Sequence, residues 1–221
     1  MAAAGAKTDI NYTNDDAAAN DIVKEIKVAG GEAIAVQADV SNSKQVEAMF
    51  DTTINTFGKP DILVNSAGVI ICKPIAETTN EDFDRIFSIN VKGTFNTLRE
   101  AATKLNDGGR VVNLSSTTTR MMLPTYGSYC ATKGAVEQLT RIFAKEVGAR
   151  NITVNAVSPG PTNTELFHQG KSDDTVARLA SMSPFNRIGE PIDIARVVAF
   201  LVSEEAAWVT GQNIGANGGL A

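Results

Sequence analysis

Three consecutive pieces decide the fold: Arg110-Val-Val-Asn-Leu-Ser115, then Tyr126 to Val147, then Asn151-Ile-Thr-Val-Asn-Ala-Val157. The first and last are apolar runs of strand length. The middle piece sets Val136, Leu139, Ile142 and Phe143 on one face at helical spacing. A strand, a helix and a strand in succession, with both strands apolar throughout, is the pattern of a parallel sheet covered by helices on both faces. The alternation continues outward. Upstream, Ala33-Ile-Ala-Val36 reads as a strand, and Ser41 to Phe57 as a helix carrying Val46, Met49, Phe50, Ile54 and Phe57. Asp61-Ile-Leu-Val-Asn65 is the next strand. Glu81 to Leu105 follows as one long helix with Phe83, Ile86, Phe87 and Phe95 toward the core. Downstream, Ile192 to Val202 reads as a helix and Gln212-Asn-Ile-Gly215 as the last strand. The pattern is α/β, a doubly wound parallel sheet in one domain over residues 1–221. Pro161 to Phe185 has no clear period, and so long a loop in a compact domain is usually functional or mobile.

Composition narrows the function. Apolar residues make up 43% of the 221 and charged residues 20%, which excludes disorder and fibrous repeats. The net charge of −5, with no Lys/Arg cluster, gives no basis for a nucleic-acid surface. No apolar run has the length of a membrane span, and Met1 to Lys7 lacks the apolar stretch of a secretory signal. The two cysteines, Cys72 and Cys130, lie far apart without a motif, and His168 is the only histidine. A disulfide framework and a multi-histidine metal site are therefore excluded, and a reducing, cytoplasmic setting is expected.

The sharpest chemical signal is Tyr129-Cys-Ala-Thr-Lys133. Tyrosine and lysine four apart share a helix face. An ammonium beside a phenol favours the phenolate and lowers its pKa from about 10 toward neutrality, which suits a proton donor or acceptor. Tyr126 has no such partner, since residue 130 is cysteine. Ser116 closes the strand Val111-Val-Asn-Leu-Ser-Ser116, at the carboxyl edge where open parallel sheets bind ligands. Ser115 competes with it, and the spacing to Tyr129 favours Ser116. Asn65-Ser-Ala-Gly68 ends another strand in small residues that allow close approach to the backbone. Asn90-Val-Lys-Gly93 puts two poor helix residues inside a helix, which needs a reason. Asn155-Ala-Val-Ser-Pro-Gly160 ends a strand in a forced turn, followed by Pro161-Thr-Asn-Thr164.

Taken together, these motifs resemble the short-chain dehydrogenase/reductase family, of the kind that includes 3-oxoacyl-carrier-protein reductases. The resemblance runs from about Ala4 to Ala221 and extends to the ending Trp208-Val-Thr-Gly-Gln212 through Asn217-Gly-Gly219. It implies a Rossmann-like fold and hydride transfer between a nicotinamide cofactor and a ketone, aldehyde or alcohol. Residue by residue, it implies Tyr129 as catalytic acid or base and Lys133 as its pKa-lowering partner and binder of the nicotinamide ribose. Ser116 would hold the substrate oxygen, and Asn90 would anchor a water linking Lys133 to solvent. Asp39 corresponds to an adenine contact, and Asn65, Ala67 and Gly68 to a wall along the adenosine ribose, with Lys92 in the same neighbourhood. Pro159 and Gly160, then Thr162 and Thr164, correspond to the nicotinamide side. A homotetramer or homodimer is implied, and no metal. The strand ending Asn11-Tyr12 carries no carboxylate before Asp15, which leans toward NADP(H) over NAD(H).

The family's opening strand, Gly-x-x-x-Gly-x-Gly turn and helix have no match here, and the only early glycine is Gly5. The family pattern enters at Ala3-Ala-Gly-Ala-Lys-Thr-Asp-Ile-Asn-Tyr12, so the chain is expected to be N-terminally truncated by one strand–turn–helix and its sheet to be split. It then either begins at an internal methionine of a longer protein or binds cofactor poorly. The alternative function is that of a cofactor-binding-defective homologue serving as a non-catalytic subunit or binding protein.

Overall fold

Strands and helices alternate along the whole chain in the computed structural model, which describes residues 1–221. The first half runs β1 (Thr8–Tyr12), α1 (Asp16–Val28), β2 (Ala33–Gln37), α2 (Ser43–Phe57), β3 (Ile62–Asn65), α3 (Asn80–Phe87) and α4 (Gly93–Lys104). The second runs β4 (Arg110–Leu114), α5 (Thr118–Met121), α6 (Gly127–Glu146), β5 (Thr153–Pro159), α7 (Glu165–His168), α8 (Asp173–Ser181), α9 (Pro191–Leu201) and β6 (Asn213–Ala216).

Side-chain caps set most of the helix starts. Asp15 accepts from the Ala18 amide at α1, Asn42 from Lys44 and Gln45 at α2, and Thr79 forms a capping box with Asp82 at α3. Pro191 opens α9, where its missing amide hydrogen costs nothing. The helix α1 has no counterpart in the sequence reading. Its periodicity is weak because only Ala19 and Val23 are buried.

All pairing is parallel, but the sheet is in two parts. β1 pairs with β2, Thr8 opposite Ala33 through Tyr12 opposite Gln37, and β3, β4, β5 and β6 form a separate four-stranded sheet. β4 and β5 are buried along nearly their whole length, whereas every residue of β3 is half-exposed and no residue of β1 is buried. β3 has one strand neighbour, not two, and β1 likewise. Side chains hold the two parts together. A core of 14 buried residues runs from Ala38 and Val40 through Val46 and Phe50 of α2 to Val111 and Val154.

Two expectations about elements need correction. The helix read over Glu81–Leu105 is interrupted by a π turn at Ser88–Lys92. Of its apolar stripe Ile86 is buried, while Phe83 is 45% and Phe95 48% exposed, so the stripe is not all core. Ile142 on α6 also faces outward, at 55% exposure. The segment Pro161–Phe185 is more ordered than its periodicity implies. Thr164 caps α7 and Ser172 caps α8, each accepting from a backbone amide three residues on.

Candidate active site

The carboxyl ends of β3, β4 and β5 open into a cavity of about 520 Å³. Tyr129, Lys133 and Ser116 line it, with Gly68, Pro159, Gly160, Thr162 and Thr164. Asp39, Asn65, Ala67, Asn90 and Lys92 are not in its wall. No cluster of three His, Cys, Asp or Glu side chains able to hold a metal is present.

Ser116 is buried at the end of β4. Its Oγ accepts from the Thr118 amide at 3.3 Å and from the Thr118 hydroxyl at 2.9 Å, which leaves its own hydrogen free. Ser115 also borders the cavity, but its hydroxyl donates to Glu137 at 2.9 Å. The two serines are thereby told apart by what holds them.

Lys133 is buried, and burial lowers its ammonium to about 8. Its Nζ donates to the Leu114 carbonyl at 2.8 Å and lies 5.7 Å from the centre of the Tyr129 ring. The expected depression of the Tyr129 phenol is not what this arrangement gives. Burial pushes the phenol up to about 12, against the opposing hydrogen bond with Ser116. A desolvated ammonium already committed to a carbonyl does not outweigh the cost of burying a phenolate.

Asn90 sits on the π turn, a device often found where a helix must bend its side chains to a task. Its Oδ1 accepts from the Val69 amide at 2.8 Å, and its Nδ2 donates to the Val69 carbonyl at 2.9 Å and to Thr132 at 3.1 Å. Asn90 thus pins the loop after β3 to α6. A Cβ at Gly68 would stand 3.3 Å from Asn90 Oδ1 and 3.6 Å from Lys133 Nζ, so glycine keeps the floor of this corner open. The other sequence-marked glycines have packing reasons. At Gly93 a Cβ would come within 2.6 Å of Val40, and at Gly160 within 3.0 Å of the Asn217 backbone.

The family model described as enoyl-(acyl carrier protein) reductase matches residues 1–221. A "short chain dehydrogenase" of Claviceps purpurea (strain 20.1) is 40% identical, covering 98% of this chain and 87% of that protein. The chain belongs to the short-chain dehydrogenase/reductase family. An "NADPH-dependent aldehyde reductase-like protein, chloroplastic" of Arabidopsis thaliana is 44% identical, covering 99% of this chain and 86% of its own. The crystal structure of the angucycline C-6 ketoreductase LanV with bound NADP superposes with a TM-score of 0.92 at 37% identity, covering 98% of this chain and 86% of LanV. Rossmann-like architecture and oxidoreductase class follow from membership.

Within this short-chain dehydrogenase/reductase the remaining marked residues separate by role. Asn65 donates to Asn113 at 2.8 Å, and Asn113 to Thr140 at 2.9 Å, a buried polar chain from β3 through β4 to α6. Asp39 closes the turn after β2, accepting from the Ser41 amide at 2.8 Å. Lys92 is exposed and outside the cavity. Cys130 packs with its Sγ toward the Thr118 carbonyl, and His168 pairs with Asn163 on the surface. The sequence reading missed Thr118 and Thr132, which orient Ser116 and Asn90. Both are hydroxyls within three residues of a marked position, a signal too common to single out.

Proposed function

We propose that the protein reduces a ketone or aldehyde with NADPH. The observation that carries this reading is the convergence of the Ser116 hydroxyl and the Tyr129 phenol on one cavity, with Lys133 Nζ buried behind them. NADPH, when bound, supplies the hydride to the carbonyl carbon. Ser116, its lone pairs engaged by Thr118, donates its free hydrogen to the carbonyl oxygen. As the C=O electron pair becomes an alkoxide, Tyr129 gives it the phenolic proton. A phenol held near 12 stays protonated at neutral pH, the form that reduction needs. Lys133, with its Nζ 5.7 Å from the centre of the Tyr129 ring, is the group placed to restore the phenolic proton.

The nicotinamide end of the cofactor fits the residues present. Gly68 leaves a recess beside Lys133 that a side chain would fill, and Thr162 and Thr164 stand on its rim. The preference for NADPH rests on the end of β1. Asn11 Nδ2 donates to the Ala38 carbonyl at 3.0 Å, and Asp16, the nearby carboxylate, already accepts from the Tyr12 hydroxyl at 2.7 Å. The strand itself ends without a carboxylate, and Asp15 beyond it is engaged at the start of α1, capping the Ala18 amide. The NADPH in the name of the Arabidopsis relative and the NADP bound to LanV agree with this preference.

The test is NADPH oxidation with an aromatic aldehyde. Tyr129→Phe is expected to lower kcat by ~10²–10⁴ with little change in melting temperature. Tyr126→Phe should stay within a few-fold. A Tyr129→Phe protein with near-native turnover sinks the assignment.

A further inference from the structure

The cavity wall holds no Asp or Glu, although the chain carries 25 of them against 20 Lys and Arg. Its charged side chains are Lys133 and Lys171. Lys133 is spent on the Leu114 carbonyl at the catalytic end. Lys171 stands elsewhere on the wall, between α7 and α8, half-buried, with Nζ 4.9 Å from the centre of the Phe167 ring. No carboxylate lies within ion-pair distance of it. The rest of the wall is largely apolar, with Met121, Leu123, Leu166 and Ile194 among its residues.

We infer that the cavity selects carbonyl compounds with an apolar body and a carboxylate, the carbonyl at Ser116 and Tyr129 and the carboxylate at Lys171. This rests on reading the cavity as a carbonyl-reducing site. An unpaired cation over an aromatic ring, at the edge of an apolar chamber without carboxylates, is a standing acceptor for one anion. A neutral ligand of the same shape leaves it unmatched.

The experiment is calorimetric titration of the 221-residue protein with 2-naphthoate and with 2-naphthamide, its neutral counterpart. The carboxylate is expected to bind about tenfold more tightly at low salt. The advantage should shrink as salt rises and vanish in the Lys171→Gln variant, with naphthamide affinity unchanged. Lys171→Glu should reverse the order. Equal affinities, or an advantage that survives Lys171→Gln, overturn the proposal. So does a Lys171→Gln protein that loses affinity for 2′,5′-ADP, because the lysine would then serve a cofactor phosphate. Turnover separates the two readings. Reduction of 2-naphthaldehyde without carboxylate preference leaves the enzyme and removes the anion site. Carboxylate preference without any reduction does the reverse.

Discussion

Asp9 puts a carboxyl where the pattern of a buried strand calls for an apolar side chain. It lies between β1 and α2, with Oδ2 accepting from Thr53 and Oδ1 buried without a partner. Burial raises its pKa, and the Thr53 bond only partly offsets this. A carboxyl with a raised folded pKa stabilises the fold below its unfolded value near 3.8, and that contribution is lost as pH rises through the folded pKa. Asp9→Val is therefore expected to stabilise the protein by about 1–3 kcal/mol at pH 7, where an unsatisfied buried oxygen is removed. Urea unfolding at pH 7 and pH 4 checks this, since the gain should be smaller at pH 4. An equal gain at both would place the effect in packing and not in charge. At this scale the sequence disclosed which residues meet better than how burial acts on them. Tyr129, Lys133 and Ser116 were legible because their chemistry depends on spacing along one helix and one strand end. The raised Tyr129 phenol was not, because burial depends on every element around it.

The interrupted helix between Asn80 and Lys104 shows what an element demands of its sequence. Periodicity reads one helix there, since the apolar repeat continues through the irregularity. The π turn rotates Asn90 onto Val69 and Thr132, and the next turn then presses Gly93 against Val40. Asparagine and glycine flagged this place without stating the geometry. Gly93→Ala would place a methyl 2.6 Å from Val40 Cγ2 and 3.2 Å from its Cβ, neither on a flexible arm. The expected cost is about 1–3 kcal/mol, a melting decrease of roughly 3–10 °C for a chain this long. Differential scanning calorimetry measures it, and a variant that melts with the parent shows that α4 can shift freely. Gly134, with nothing within 4 Å of its Cβ position, is the matched control, and its replacement by alanine in mid-helix should be neutral or stabilising.

At the scale of the molecule, the parallel sheet is in two parts, β1-β2 and β3-β4-β5-β6. Strand order within each part was legible from β/α alternation. The gap was legible only by comparison with a family pattern, because a strand's own residues do not state which strand lies beside it. The two sheets have four edges where one continuous sheet has two, and β3 is half-exposed although its sequence, Ile62-Leu-Val-Asn65, is that of a buried strand. Each edge carries backbone groups whose pairing is worth about 0.5–1.5 kcal/mol per hydrogen bond, with apolar burial in addition. A strand between β1 and β3, followed by a glycine turn and a helix, would close the sheet and aim amide groups at a pyrophosphate. Fusing such a segment ahead of Met1 is expected to raise stability by several kcal/mol, on the order of a third of the ~5–15 kcal/mol typical of a domain. Chemical unfolding should record that gain, and NADPH fluorescence titration should show binding strengthened at least tenfold. The core running from Ala38 to Val154 argues that the 221-residue chain holds its two halves together without the segment, so the difference should appear as a lower midpoint rather than as loss of structure. If both lengths bind NADPH at micromolar affinity and unfold alike, the gap is not a deficit. Residues 1–12 would then have to re-register into the central position, which backbone hydrogen exchange along Ile62–Asn65 would reveal as unexpected protection.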